Sequence, residues 1–328
     1  MKKFILFSII LCLIALPCLA LNAGIMGMVG GSSATVNTNF VSAWDTTKVG
    51  ASAAKTIALP LFDGGTYNFT VDYGDSSGIK TVTSWNDADA THTYTDDGTY
   101  TVTISGTIEG FRFDNGGDKL RLAGISNWGT LKVGTNQGGY FYGCANMVVT
   151  ATDTLDTSAV TNMSSMFDGA SSFNQSVANF DTSAVTDMYA MFYGASSFNQ
   201  SVANFDTSKV TDMSSMFDGA SSFNQSVANF DTSAVTDMYA MFSGASSFNQ
   251  SVANFDTSKV TDMAYMFYET SLSIANYNAL LVSWAADTQQ SGVSFHAGST
   301  KYSTGAPATA RAVLTGTYGW NITDGGQE

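Results

Sequence analysis

Phe173-Asn174-Gln175-Ser176-Val177-Ala178-Asn179-Phe180-Asp181-Thr182-Ser183 recurs unchanged from Phe198, Phe223 and Phe248. The step is 25 residues each time, without an insertion. Other columns keep it: Met163, Met188, Met213, Met238 and Met263; Phe167, Phe192, Phe217, Phe242 and Phe267; Val160, Val185, Val210, Val235 and Val260. A longer unit is superimposed, since residues 181–213 and 231–263 differ only at Tyr193 against Ser243. One such unit has too few apolar positions to close a core. Stacked copies do, because each apolar column then runs continuously through the interior. The period therefore predicts a solenoid.

Local signals predict the shape of one coil. Thr211-Asp212 reads as a helix N-cap before Met213, Met216 and Phe217, with Gly219 ending a short helix or 3-10 turn. Asn224 to Ala228 reads as a short strand, and Asp231-Thr232-Ser233 as a turn. At fixed repeat spacing the Met and Phe columns are core. Asn179, Asn204, Asn229 and Asn254 form a polar column, read as an amide ladder serving backbone groups of neighbouring coils.

The phrases Val-Thr-Asp-Met-Ser-Ser-Met-Phe-Asp-Gly-Ala and Ala-Asn-Phe-Asp-Thr-Ser-Lys-Val-Thr-Asp-Met, from Val210 and Ala203, resemble the 25-residue repeats of BspA-like leucine-rich-repeat surface proteins, known also from Mycoplasma lipoproteins. The resemblance covers about residues 140–270 and implies a leucine-rich-type coil and an adhesive role. The usual leucines are mostly Phe, Val, Met and polar residues here. Upstream, Val71-Asp72-Tyr73-Gly74-Asp75 with His92, Tyr94, Gly98 and Tyr100 resembles a polycystic-kidney-disease-type (PKD-like) immunoglobulin-fold domain. Short β-rich runs punctuated by Gly and Asp point independently to a small sandwich. After Phe267 the period ends. Tyr277–Ala286 and Ala308–Leu314 read as helices around a strand and turn at Val293–Gly298, a cap over the last coil.

The expected fold class is mixed β and α/β: an N-terminal β-sandwich (PKD/immunoglobulin-like), then a leucine-rich-repeat-type solenoid with a C-terminal cap. The expected divisions are a signal peptide at 1–20, a linker at 21–37, the PKD-like sandwich at 38–112, a connecting segment at 113–139, the repeats at 140–270 and the cap at 271–328. Lys2-Lys3, the apolar run Phe4–Leu16 and Cys18-Leu19-Ala20 carry the secretory pattern, with cleavage after Ala20 or, alternatively, Ala23. Cys12 and Cys18 leave with the signal, so Cys144 remains without a disulfide partner. The protein is expected to be secreted or held at the cell surface, without a membrane span.

The formal net charge is −14, which excludes nucleic acid as a natural partner. His92 and His296 fall in separate units, and no zinc spacing, phosphate loop or Ser-His-Asp set is present. Glycosidases need only two carboxylates, but the aspartates are copied coil after coil, which marks turn and capping roles. No catalytic residue, cofactor or metal is expected; weak calcium binding between coils stays open. The candidate binding residues are Asn224, Gln225 and Ser226 with their copies, and Tyr189, Tyr193 and Tyr239. Amides and aromatic rings suit an extracellular protein or glycan partner. The alternative is a structural spacer or matrix component without a specific ligand.

Overall fold

Alternation of apolar and polar residues builds the strands of the N-terminal part. In Thr66–Asp72 (β3), Tyr67, Phe69 and Val71 are buried while the residues between them are exposed. The computed structural model describes residues 37–270 and 272–328. The expected signal peptide, both of its cysteines and nearly all of the linker lie outside the described residues. The remaining strands are β1 (Phe40–Asp45), β2 (Thr56–Ala58), β4 (Lys80–Val82), β5 (Thr91–Thr93), β6 (Thr99–Glu109), β7 (Leu122–Asn127), β8 (Val148–Val149), β9 (Ser294–His296) and β10 (Asn321–Thr323). Two helices, α1 (Ile274–Trp284) and α2 (Ala306–Thr317), lie near the C-terminus.

The main sheet has six strands in the order β4-β3-β6-β1-β7-β8. Pairing is antiparallel except for β7 with β8. Two-stranded sheets join β2 to β5 and β9 to β10. The expected sandwich at 38–112 is corrected accordingly. β7 and β8, from the segments taken as connector and first repeat, complete the same sheet as β1, β3, β4 and β6. Asp118 and Arg121 reinforce that continuity. Both are buried, paired at 3.5 Å, and bonded back to the loop after β1 through Ser52, Lys48 and Ala53 and to β2 through Ala58.

The leucine-rich-repeat-type solenoid is corrected too. Between β8 and α1 the described residues contain no strand and no helix; the β-type pairing between repeats is limited to single-residue bridges, Asn162 to Asp187, Asp212, Asp237 and Asp262 in turn. The physical reason lies in two places. Ser165, Ala190, Ser215, Ala240 and Tyr265 have φ between 50° and 58°, a left-handed conformation that breaks any helix at the centre of the expected helical run. The run then sends alternate N–H groups outward: Met213, Ser215, Phe217 and Gly219 donate to carbonyls of Asp237, Tyr239, Met241 and Ser243 in the next coil. Along Asn224–Ala228, side chains replace the ladder that a strand would need. The Asn224 N–H donates to Oδ1 of Asn199, and the Ala228 N–H to Oγ of Ser226.

The repeats thus form a stack of coils without a continuous sheet. Phe141, Phe167, Phe192, Phe217, Phe242 and Phe267 stack at 5.6–5.7 Å between ring centroids. A second file, Phe173 to Phe248, stacks at 5.9–6.0 Å. The Met and Val columns between them are equally buried. At the far end β9 takes the donors of the last coil, Met263 and Phe267, on its Ser294 and His296 carbonyls, and Phe295 meets Phe267 edge-on.

Truncating Phe217 to Ala should cost about 3–5 kcal/mol, because the cavity opens in both ring files; urea denaturation measures it. Deleting residues 206–255 rejoins Phe205 to Asp256 with every column in register. The shortened chain should still unfold in one cooperative transition, and a broad, non-cooperative melt would contradict the nearest-neighbour stacking.

Candidate functional site

Beyond β8, the large apolar side chains of the repeats are buried except along one arc of the stack. There Tyr189, Tyr193, Tyr239, Tyr265 and Tyr268 are 41–48% exposed. The same backbone that carries the ladder positions them. Asp187 Oδ1 accepts the Tyr189 N–H at 2.9 Å, and Asp237 Oδ1 accepts that of Tyr239 at 2.8 Å. The Tyr189 and Tyr239 carbonyls are tied to Ser165 and Ser215 of the preceding coil. Only the phenol rings project. Tyr239 meets Tyr265 at 5.7 Å, Tyr265 meets Tyr268 at 5.7 Å, and both lie against His296, at 6.0 and 5.5 Å. A cleft of about 340 Å³ lined by Tyr265, His296, Ser294 and Asn321 ends this strip.

Tyr189, Tyr193 and Tyr239 therefore sit on one arc, as their shared columns imply. Tyr265, Tyr268 and His296 extend it and were missed. Column arithmetic reveals Tyr268, three repeats beyond Tyr193; Tyr265 stands one residue past the Tyr239 column and gives no such signal.

Asn224, Gln225 and Ser226 lie on a different segment and are bonded within the protein. Asn224 Oδ1 accepts from the Asn249 amide at 3.0 Å and from Gln250 Nε2 at 2.9 Å, while Gln225 Nε2 donates to Asn199 Oδ1 at 3.0 Å. This side-chain ladder runs on into Ser273 and Asn276 at the start of α1. Asn204, Asn229 and Asn254 each donate to the Ala carbonyl of the coil before, making a second amide ladder.

The carboxylates divide into two electrostatic classes. Asp181, Asp206, Asp231 and Asp256 accept the N–H of the serine two residues on. Those serines, through hydroxyl and amide, hold the carboxyls below the usual range. Asp168, Asp187, Asp218 and Asp237 go the other way. Burial pushes each one up, Asp168 to about 6, and neighbouring acids add to it at Asp187, Asp218 and Asp237. Among the described residues, no group of three His, Cys, Asp or Glu side chains is placed to hold a metal ion.

Catalytic geometry is equally thin. Cys144 is fully buried, and burial raises its thiol well above the usual range. His92 Nε2 lies 2.7 Å from Asp75 Oδ2 and stacks on Tyr73 at 4.4 Å, in the N-terminal sheet region. Burial works against the Asp75 charge, yet bonds from Ser77 and His92 win and hold it at about 2. No helix among the described residues is long and apolar enough to cross a membrane.

Residues 111–209 and 199–304 match the model of a family described as Mycoplasma protein of unknown function, DUF285; together they cover more than half of the chain. No curated protein and no solved structure matches it.

The two classes of carboxylate set the pH dependence. A carboxyl raised by folding favours the folded state when protonated, so its contribution is present below the usual 3.8 and is lost as pH rises through about 6. The lowered turn aspartates lose theirs only as pH falls below that usual value. Stability should therefore peak in mild acid, at about pH 4–5. Asp168→Asn should stabilise the protein at pH 7.5 by about 1–3 kcal/mol and have little effect at pH 4. Denaturant midpoints at the two pH values check both statements.

Proposed function

We propose a function from this premise: the chain belongs to the DUF285 family, a Mycoplasma-type repeat family, and its coils share one exposed tyrosine-bearing arc. It is a non-catalytic protein, secreted or at the cell surface, whose repeats recognise or adhere to an extracellular protein or glycan partner. No cofactor takes part. The BspA-like surface role belongs to this reading.

The observation that carries it is the exposure of five tyrosines on one arc, while the Phe, Met and Val columns are buried. Contiguous exposed aromatic surface on a soluble protein marks contact sites. The backbone beneath is held by the inter-coil ladder, so little order has to be created on binding. One observation favours the spacer alternative: the Asn224 and Gln225 amides are engaged in bonds between coils.

A cell-surface and glycan-array binding assay separates the two readings. Tyr189→Ala with Tyr193→Ala and Tyr239→Ala should lower binding about tenfold or more while the melting temperature holds, since these rings are exposed. Replacing Asn224, Gln225 and their copies by Ala should mainly lower stability, because the side-chain bonds that join the coils along this segment are lost. Saturable binding that ignores the tyrosines would count against this reading, and no binding at all would leave the spacer. Adding or chelating calcium in the same assay tests whether the aspartate columns take part.

A further inference from the structure

Along the repeats, short of His296 at its far end, the tyrosine arc has a one-sided chemistry. Residues 162–169, 187–194, 212–219, 237–244 and 262–269 hold five tyrosines, six aspartates and one glutamate, and no lysine, arginine or histidine. Both lysines of the repeats, Lys209 and Lys259, fall outside these segments, and Lys209 donates to the Ser183 carbonyl at 2.8 Å. Asp168 and Asp218 occupy the column of Tyr193, one coil to either side; Lys119 lies near Asp168, so the uncompensated side is that of Asp218. The carboxyl of Asp218 is half-buried and has Glu269 rather than a cation as its charged neighbour; Asp237 has Asp212 and Asp262. Burial with acidic company keeps both above the usual carboxylate range.

Two physical effects act together on such a face. Tyrosine rings attract ammonium and guanidinium groups through their negative faces, and partly desolvated carboxylates attract them more strongly than fully hydrated ones do. A neutral sugar also stacks on the rings and can donate hydroxyl groups to carboxylates, but it carries no positive charge to offset the acidic surroundings. An anionic polymer is repelled. The spacing is also informative. Tyr189 and Tyr239 are two coils apart, roughly 10 Å at the ~4.8 Å separation of backbone-bonded chains, which three residues of extended chain also span.

We propose that this arc binds an extended, lysine- or arginine-rich segment of a partner polypeptide, with cationic side chains seated over the tyrosines and beside the aspartates. The inference rests on the recognition reading above and names the chemistry of its partner.

The test uses fluorescence anisotropy on the purified chain. Its probes are a labelled Lys-Ser-Gly repeat peptide, its Gln-Ser-Gly counterpart and a panel of neutral oligosaccharides. The lysine peptide should bind, more weakly as salt rises, and the glutamine peptide should not. Tyr189→Ala with Tyr193→Ala and Tyr239→Ala should weaken it about tenfold or more, whereas Phe at these positions should retain most of the affinity, because the ring face survives. Asp218→Asn with Asp237→Asn should weaken it well beyond Asp206→Asn with Asp231→Asn, which removes the same charge from another segment. Melting curves confirm that each variant is folded. Equal effects of the two Asp pairs with no tyrosine effect would overturn the proposal in favour of diffuse charge attraction. Tyrosine-dependent binding of a neutral oligosaccharide, with none of the lysine peptide, would overturn it while leaving recognition intact. Absence of binding to either probe also overturns it, and the cell-surface assay then decides separately whether recognition itself survives.

Discussion

Each coil gives backbone N–H groups to the carbonyls of the coil that follows, and the remainder of the repeat region depends on that ladder. A short irregular turn with one left-handed residue near its centre directs donors along the stack instead of back into a helix. Met188, Ala190, Phe192 and Gly194 donate in this way to Asp212, Ser214, Met216 and Asp218. Once these bonds are made, the side chains between them have no freedom of register. Phe192 must lie over Phe167 and under Phe217, and it does, at 5.7 and 5.6 Å. Buried polar backbone left unpaired would cost as much as several such contacts return, so ladder and ring files are two sides of one constraint.

The residue that closes the turn is left-handed as well, which favours glycine. Gly219 has φ +69°, and a Cβ there would stand 3.5 Å from the Gly194 backbone. That distance is ordinary contact, so it is the left-handed backbone that favours glycine here, and Glu269 adopts it at the same column of the last coil with φ 56°. Away from the turn, amide and hydroxyl side chains take over the joining. Thr207 Oγ1 donates to the Asp231 carbonyl at 2.9 Å, and Asn229 reaches back to Ala203. Side-chain joints like these tie successive coils across a polar surface where a sheet would otherwise be required.

Much of this was legible in the sequence, and the part that was not has a physical cause. The period, the buried columns and the amide column at Asn204 and Asn229 follow from which residues recur. So do β3 and β6, from alternation around Tyr67 and Val102, and the helical segments near Leu280 and Leu314. The fold class was misread because the spacing of Met213, Met216 and Phe217 reports which side chains face inward, not where the N–H groups point. A helix and an irregular turn with Ser215 in the left-handed region bury the same three residues. Likewise Asn224 to Ala228 carries strand-like alternation, but its Asn and Ser side chains bond the backbone themselves. At the candidate site, Tyr189, Tyr193 and Tyr239 could be placed from their columns, whereas Tyr265 and His296 come together only because the C-terminal segment folds over the last coil.

The interior and the exterior of the stack count in different units. Every coil offers the same Phe, Met and Val to its neighbours, so the core repeats once per 25 residues. The exposed rings at Tyr189 and Tyr239 repeat once per 50, the length of the near-identical block. Gain or loss of a single coil is therefore silent to packing yet shifts the outward pattern by half its wavelength. Gain or loss of a pair preserves both.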